Sequence, residues 1–116
     1  MGMFRDTDAQ EADIVKEMAE ALGSTGLRLE EILEKLDRLG EQVKPLISMY
    51  RHGLRGPESL DSDTINESIR EYNGLVDKAE DARRWLLIKR EACGFRIHRD
   101  VDRYYPIPAR LKLIKS

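Results

Sequence analysis

Apolar residues recur along the first half of the chain at spacings that alternate between three and four positions. With heptad position a placed at Val15, ten of the eleven a and d positions up to Tyr50 are apolar. The eleven positions are Val15, Met18, Leu22, Thr25, Leu29, Ile32, Leu36, Leu39, Val43, Leu46 and Tyr50. Such a seam is typical of a coiled coil or a helical bundle. We therefore predict a helix over about residues 8–52.

Glycine and proline occur inside this predicted helix without changing its heptad phase. The stretch GSTG, residues 23–26, carries two glycines that cost about 1 kcal/mol each relative to alanine, so a break there is the alternative to one continuous helix. Pro45 falls at an outward c position, where it kinks a helix. The e positions are small or apolar throughout, namely Ala12, Ala19, Gly26, Leu33, Gly40 and Ile47. This wider stripe suits a bundle core, and we expect the glycines to let another helix approach closely.

A second amphipathic segment follows a polar stretch that contains Gly53, Gly56 and Pro57. Asp61 or Ser62 is suited to cap its start. Its apolar positions keep the heptad phase, and they include Ile65, Ile69, Tyr72, Val76, Ala79, Leu86, Cys93, Ile97 and Tyr104. Pro106 removes helical geometry from the residue before it. We predict a turn over 53–62, a helix over about 63–104 and an extended basic tail over 105–116.

These elements predict one all-α domain over residues 1–116, built as an antiparallel helical hairpin. A lone hairpin cannot cover an a/d/e stripe on both of its helices. We therefore expect two copies to form a four-helix bundle as a homodimer. The alternative is a monomer whose arms break and fold back into a three- or four-helix bundle.

Charge divides the chain into two unequal parts. The whole chain has a formal net charge of −2, but residues 1–82 hold 10 Lys and Arg against 19 Asp and Glu, whereas residues 83–116 hold 10 against 3. The acidic part can pair with the basic part of the same or another chain. The basic part can instead contact nucleic acid or another anionic surface, or remain solvated without a partner.

The basic segment supplies the candidate contacts for an anion or a partner. They are Arg83, Arg90, Lys89, Arg96, Arg99, Arg103, Tyr104 and Tyr105. Arg83 and Arg90 stand at a positions, where an apolar residue would pack better; their stems can lie on the core while their guanidinium groups reach out to acids. Few cations align, Asp100 and Asp102 interrupt them, and stacking platforms for single strands are limited to the two tyrosines.

Catalytic and metal chemistry finds little support in the sequence. Cys93 stands at a d position and is expected to be a small buried hydrophobe. His98 lies about 140° around the helix from it, so a Cys–His nucleophile pair is not expected. His52 and His98 fall at opposite ends of the hairpin, and the spacings of known metal motifs are absent. We expect no cofactor, no metal and no catalytic residue.

The sequence favours a non-enzymatic cytoplasmic interaction or scaffold module that works as a homo-oligomer. Residues 104–116 either cap the bundle end or dock onto another protein as a stiff proline-containing peptide. A nucleic-acid-associated protein is the alternative. The third hypothesis is an enzyme or small-anion-binding bundle whose core pocket is lined by Arg83, Arg90, Glu91 and Tyr72. No membrane partner is expected, because no apolar run approaches the ~18 residues of a span.

Overall fold

A computed structural model describes the backbone of residues 2–53 and 61–114, and the side chains of residue 20, residues 22–53 and residues 61–114. The regular structure of these residues is helical, in the order α1 (Gly2–Arg51), α2 (Ser62–Ala92) and α3 (Arg99–Tyr104). The two long helices pack against each other in antiparallel directions, which confirms the all-α class. Most of the predicted turn, and the side chains of Val15 and Met18, lie outside the described residues.

α1 runs without interruption through both GSTG and Pro45. Tertiary packing on the seam offsets the low helix propensity of the glycines. Seam residues of α1 and α2, together with Val101 of α3 and Ile114 near the C-terminus, form the core in two adjacent clusters. The buried members of the first are Leu29, Ile32, Leu36, Tyr72, Val76, Ala79, Ala82, Leu86 and Val101. Those of the second are Val43, Ile47, Ile65, Ile69 and Ile114.

α2 begins at the predicted cap. Asp61 Oδ1 accepts hydrogen bonds from the Thr64 backbone N–H at 2.8 Å and from the Thr64 hydroxyl at 2.7 Å. These two bonds lower the pKa of the Asp61 carboxyl, because both stabilise its charged form. Asp61, and not Ser62, therefore caps the helix.

The predicted end of the second helix at about residue 104 is wrong, because α2 ends at Ala92. Gly94 takes a left-handed φ of 94°, its N–H donates to Glu91 O at 3.0 Å, and the Phe95 N–H donates to Arg90 O at 2.9 Å. These bonds form a Schellman motif, which terminates a helix at a glycine. Cys93 becomes the cap residue and is half-buried, and Ile97, predicted to face the core, is 69% exposed.

The 50 residues of α1 span about 75 Å, which accounts for the elongated outline of 78 × 22 × 18 Å, and α2 is shorter by about 30 Å. Tyr72 of α2 packs beside Gly40 of α1, and Lys89 Nζ donates to Thr25 Oγ1 at 2.9 Å. By this register Ala92 lies level with about residues 20–22 of α1. The first twenty or so residues of α1 therefore extend beyond α2 by about 30 Å.

The Gly94→Ala variant tests the helix stop. An L-residue in left-handed geometry costs about 1–2 kcal/mol, so the free energy of unfolding should fall by that amount. Gly74→Ala is the matched control, since Gly74 lies inside α2 with open space at its Cβ position, and it should raise stability by about 0.5–1 kcal/mol. Urea unfolding measures both changes. Equal effects of the two substitutions would contradict the Schellman assignment.

Candidate functional site

The C-terminal segment over residues 105–114, which we name the strap, folds back along the hairpin antiparallel to α2. Ile107 and Leu111 pack against the first core cluster, and Ile114 is buried in the second. Pro106 and Pro108 lack an N–H donor and hold φ near −65°, which keeps this segment out of a helix. The strap therefore forms the third wall of a core that α1 and α2 leave open on one side.

Two asparagines of α2 hold the strap by its main chain. Asn73 Nδ2 donates to Leu111 O at 2.9 Å, and Asn73 Oδ1 accepts from the Leu111 N–H at 2.8 Å. Asn66 repeats this pair on Ile114, at 2.8 Å to the carbonyl oxygen and 2.7 Å from the N–H. Each carboxamide thus satisfies both backbone groups of one strap residue, as a neighbouring β-strand would.

The spacing of this asparagine pair matches an extended chain. Asn66 and Asn73 are separated by seven helical residues, or about 10.5 Å along the axis of α2. Leu111 and Ile114 are separated by three residues, which span about 10 Å when extended. Both asparagines can bond at once only to a segment that is close to full extension. Since they contact only backbone atoms, they impose no choice of side chain.

Ion pairs tie the strap and α3 to α2. The Arg110 guanidinium contacts the Asp77 carboxylate, and the Arg83 guanidinium contacts that of Asp102. Arg110, Asp77 and Asp102 are well exposed to solvent, and exposed ion pairs contribute about 0–1 kcal/mol. These ion pairs therefore orient the strap and α3 on α2 more than they add to the stability of the fold. The seam position of Arg83 has an explanation here, because its side chain reaches α3.

The N-terminal end of the strap lies against the GSTG stretch of α1, residues 23–26. A Cβ on Gly26 would lie 3.1 Å from the Tyr105 hydroxyl oxygen, so the glycine gives room for this side chain. The Tyr105 hydroxyl donates to Glu30 Oε1 at 3.4 Å. Partial burial, and then the negative charge of Glu30, raise the pKa of Tyr105. The e-position glycines therefore accommodate tyrosine rings. Gly40 lies against Tyr72 of α2, as expected for a glycine facing another helix, whereas Gly26 lies against Tyr105 of the strap.

Arg90 holds the loop between α2 and α3 in place. Its guanidinium lies 4.9 Å from the Phe95 ring centroid, and its Nη2 donates to Ile97 O at 3.1 Å. Its Nε donates to His98 Nδ1 at 3.4 Å, and His98 Nε2 lies 3.2 Å from Glu91 Oε1. A neutral imidazole protonated at Nε2 satisfies both contacts of His98. Arg90, like Arg83, thus stands at a seam position and binds a part of the chain that follows the end of α2.

The structure divides the candidate contact residues into two groups. Arg83, Arg90, Lys89 and Tyr105 have partners within the chain, as described above. Arg96, Arg99, Arg103 and Tyr104 are exposed, and Tyr104 is 73% accessible. Arg99 and Arg103 share one face of α3, four residues apart. The exposed cations therefore gather on the loop and α3, beside the end of α2.

The side chains of the third hypothesis line separate grooves, because Arg83 lines one and Arg90 lines another. Tyr72 and Arg90 are eighteen residues apart on α2, or about 27 Å. Tyr72 lines a groove with Gly40 and Pro108, whereas Arg90 lines a different one with Tyr104. A single small-molecule pocket cannot contain both side chains.

The two asparagines that hold the strap were not among the residues predicted from the sequence. Asn66 and Asn73 are the only asparagines of the chain, both fall at heptad position e of α2, and asparagine is a weak helix former. Two asparagine side chains one heptad apart beside the apolar seam could have indicated a polar contact with another part of the chain. Asp77 and Asp102 carried no comparable signal, because a helix surface normally bears acids.

Within the described residues, no group of three His, Cys, Asp or Glu side chains is arranged to hold a metal ion. No helix in the same part of the chain combines the length and the apolar character needed to cross a lipid bilayer. Neither a protein-family model, nor a curated protein sequence, nor a solved structure matches this chain.

Removing one carboxamide tests the hold on the strap. Asn73→Ala deletes two part-buried hydrogen bonds, each worth about 0.5–1.5 kcal/mol, so stability should fall by about 1–3 kcal/mol. Amide hydrogen exchange should also accelerate at Leu111. Glu71→Ala, at an exposed position of the same helix, is the control and should change neither quantity. Unchanged exchange at Leu111 in the asparagine variant would contradict the assignment.

Alkaline pH provides a second test of the strap. A folded-state pKa of Tyr105 above its unfolded value of about 10 stabilises the fold at lower pH, and this contribution is lost as pH rises through the folded pKa. The urea midpoint of the wild-type chain should therefore fall more steeply above pH 10 than that of Tyr105→Phe. Parallel profiles for the two proteins would contradict the burial of this hydroxyl against Glu30.

Proposed function

We propose that the chain is a non-enzymatic helical interaction module that assembles with a second copy of itself through the extension of α1. The proposal rests on one observation: α1 continues about 30 Å beyond the end of α2. The cytoplasm remains the predicted setting. Over the rest of the hairpin the strap covers one flank of the apolar stripe. The extension is therefore the part of the seam that most needs a partner.

The sequence of the extension supports a helical partner. Val15 and Met18 continue the a/d seam there, and Ile14, Ala12 and Ala19 widen it. A helix of this length without tertiary contacts is marginal in water, because helices gain most of their stability from packing an apolar face. A partner helix along this face would supply that packing.

Charge favours a second copy as the partner. Residues 2–21 hold two basic and six acidic side chains, whereas residues 83–114 hold nine basic and three acidic ones. In a two-fold arrangement with the extensions antiparallel, the acidic side chains of each extension reach the exposed Arg96, Arg99 and Arg103 of the other copy. Such an interface uses the same patch on both copies.

The end of α2 adds an apolar surface at the same place. Trp85 and Ile88 lie one turn apart on its outward face and are 53% and 47% exposed. The tip of the extension carries Met3 and Phe4. An extension that reaches the last two turns of α2 in the partner can bury this tryptophan together with its own apolar tip. The contact would thus combine apolar packing with charge complementarity.

Multi-angle light scattering tests the assembly. The wild-type chain should show twice its 13.4 kDa mass, and Val15→Lys/Met18→Lys should show the single mass, because two lysines would disrupt the apolar seam. Ser24→Lys/Gln42→Lys adds the same charge at exposed positions beside the hairpin and should remain dimeric. The Arg99→Glu/Arg103→Glu variant should weaken the dimer, most clearly at low salt.

A wild-type chain that stays at the single mass at every concentration would contradict the proposal. So would a dimer that both lysine double variants leave intact.

A further inference from the structure

The groove that the strap occupies has the features of a binding site for an extended peptide. Its contacts with the strap are of two kinds: carboxamide bonds to the main chain, from Asn66 and Asn73, and apolar contacts with Ile107, Leu111 and Ile114. The first kind accepts any extended backbone. The second requires apolar side chains at the first, fifth and eighth positions of a segment.

The rim of the groove is acidic along α1 and mixed in charge along α2. Glu30, Glu34, Asp37 and Glu41 of α1 line the grooves beside the strap, with Lys44 among them, whereas Glu80 of α2 lines the opposite side together with Arg83 and Arg84. Asp77 adds the carboxylate that pairs with Arg110. This charge suits a basic occupant, and the strap itself carries Arg110 and Lys112. Electrostatic complementarity of this kind governs specificity and the association rate.

The strap fills this site incompletely. Beside Pro106–Pro108 an open groove of about 660 Å³ remains toward α1, next to Tyr72, and another of about 790 Å³ remains toward α2, next to Ala109. Proline and alanine are too small to fill them. Pro108 also lacks the N–H that a further backbone hydrogen bond would need. A segment with larger side chains at these positions would make contacts that the strap does not.

We propose that the hairpin binds an extended, basic segment of a partner protein in this groove, and that the strap is an intramolecular occupant which the partner displaces. The partner segment carries apolar side chains at positions one, five and eight and a cation at position four. The strap of a second copy would make the same contacts as the chain's own strap, but it would lack the high effective concentration of a segment in the same chain. It therefore could not displace that strap, and the observations favour a partner segment that fits the groove better. This inference does not depend on the extension of α1.

A synthetic fluorescein-labelled peptide, YPIPARLKLI, with the sequence of residues 105–114, is the probe. Full-length Leu111→Asp/Ile114→Asp, whose strap no longer packs, should bind it, with anisotropy saturating at micromolar peptide. The wild-type chain should bind at least about a hundredfold more weakly, because its own strap competes at an effective concentration near millimolar. Adding Asn66→Ala/Asn73→Ala to the strap variant should abolish binding, whereas adding Glu71→Ala/Lys78→Ala should not.

A nicked chain keeps the test independent of how the strap variant folds. The wild-type chain is folded first and then cut once at a protease site engineered into the loop over residues 93–98. Native mass spectrometry should show the C-terminal fragment still bound, and excess peptide should displace it. The proposed site would be overturned if the fragment dissociated at once or if excess peptide never displaced it. Peptide binding that stays unchanged in the Asn66→Ala/Asn73→Ala variant would also overturn it.

A second peptide distinguishes a partner from another copy. The probe with leucine in place of Ala109 can enter the groove beside α2, and burying that side chain should tighten binding to the nicked chain about tenfold. Equal affinities of the two peptides would overturn the proposal that a better-fitting partner segment occupies the groove. If the strap of an isotope-labelled intact copy were found in the groove of an unlabelled copy, a second copy would be the occupant instead.

Discussion

The apolar stripe shared by α1 and α2 is wider than the surface that two helices can cover for each other, and the rest of the structure depends on this constraint. Two antiparallel helices bury the residues that face one another and leave one flank of the core open. The strap closes that flank with Ile107, Leu111 and Ile114. An extended chain succeeds there because Asn66 and Asn73 satisfy the backbone groups of Leu111 and Ile114, which would otherwise lose their hydrogen bonds to water.

The helices and their seam were predictable because periodicity is a local signal. Residues such as Leu29, Leu36 and Val76 recur at the helical period, and this period also places them on the face of the helix that packs in the core. The end of α2 at Ala92 was not predicted, because it too was judged from periodicity. Gly94 preserves the heptad phase, so periodicity continues through it, and only the glycine itself indicates the left-handed turn.

The strap could not be predicted from periodicity, because its contacts join residues 38 and 48 positions apart. Its two prolines indicate an extended segment but not where that segment lies. The prediction of a second hairpin started from the premise that the stripe needs cover, and the strap supplies part of that cover from the chain itself. The four-helix dimer itself stays a prediction. The two arginines at seam positions follow the same pattern, since Arg83 and Arg90 bind parts of the chain that come after the helix stop.

The two proposed surfaces are joined by α3. Arg99 and Arg103, which would contact the acidic extension of a second copy, lie on the same short helix as Asp102, which is tied to Arg83, and as Val101, which is buried in the first core cluster. The strap follows this helix directly. Displacement of the strap by a partner segment would remove the contacts of Tyr105 and Ile107 beside α3. The helix would then be held by Val101, by the exposed Arg83–Asp102 ion pair and by the bonds of Arg90 to the preceding loop. A partner that displaces the strap would therefore also loosen the cations that the proposed dimer uses. By thermodynamic linkage, formation of that dimer would weaken the binding of the partner to the same degree.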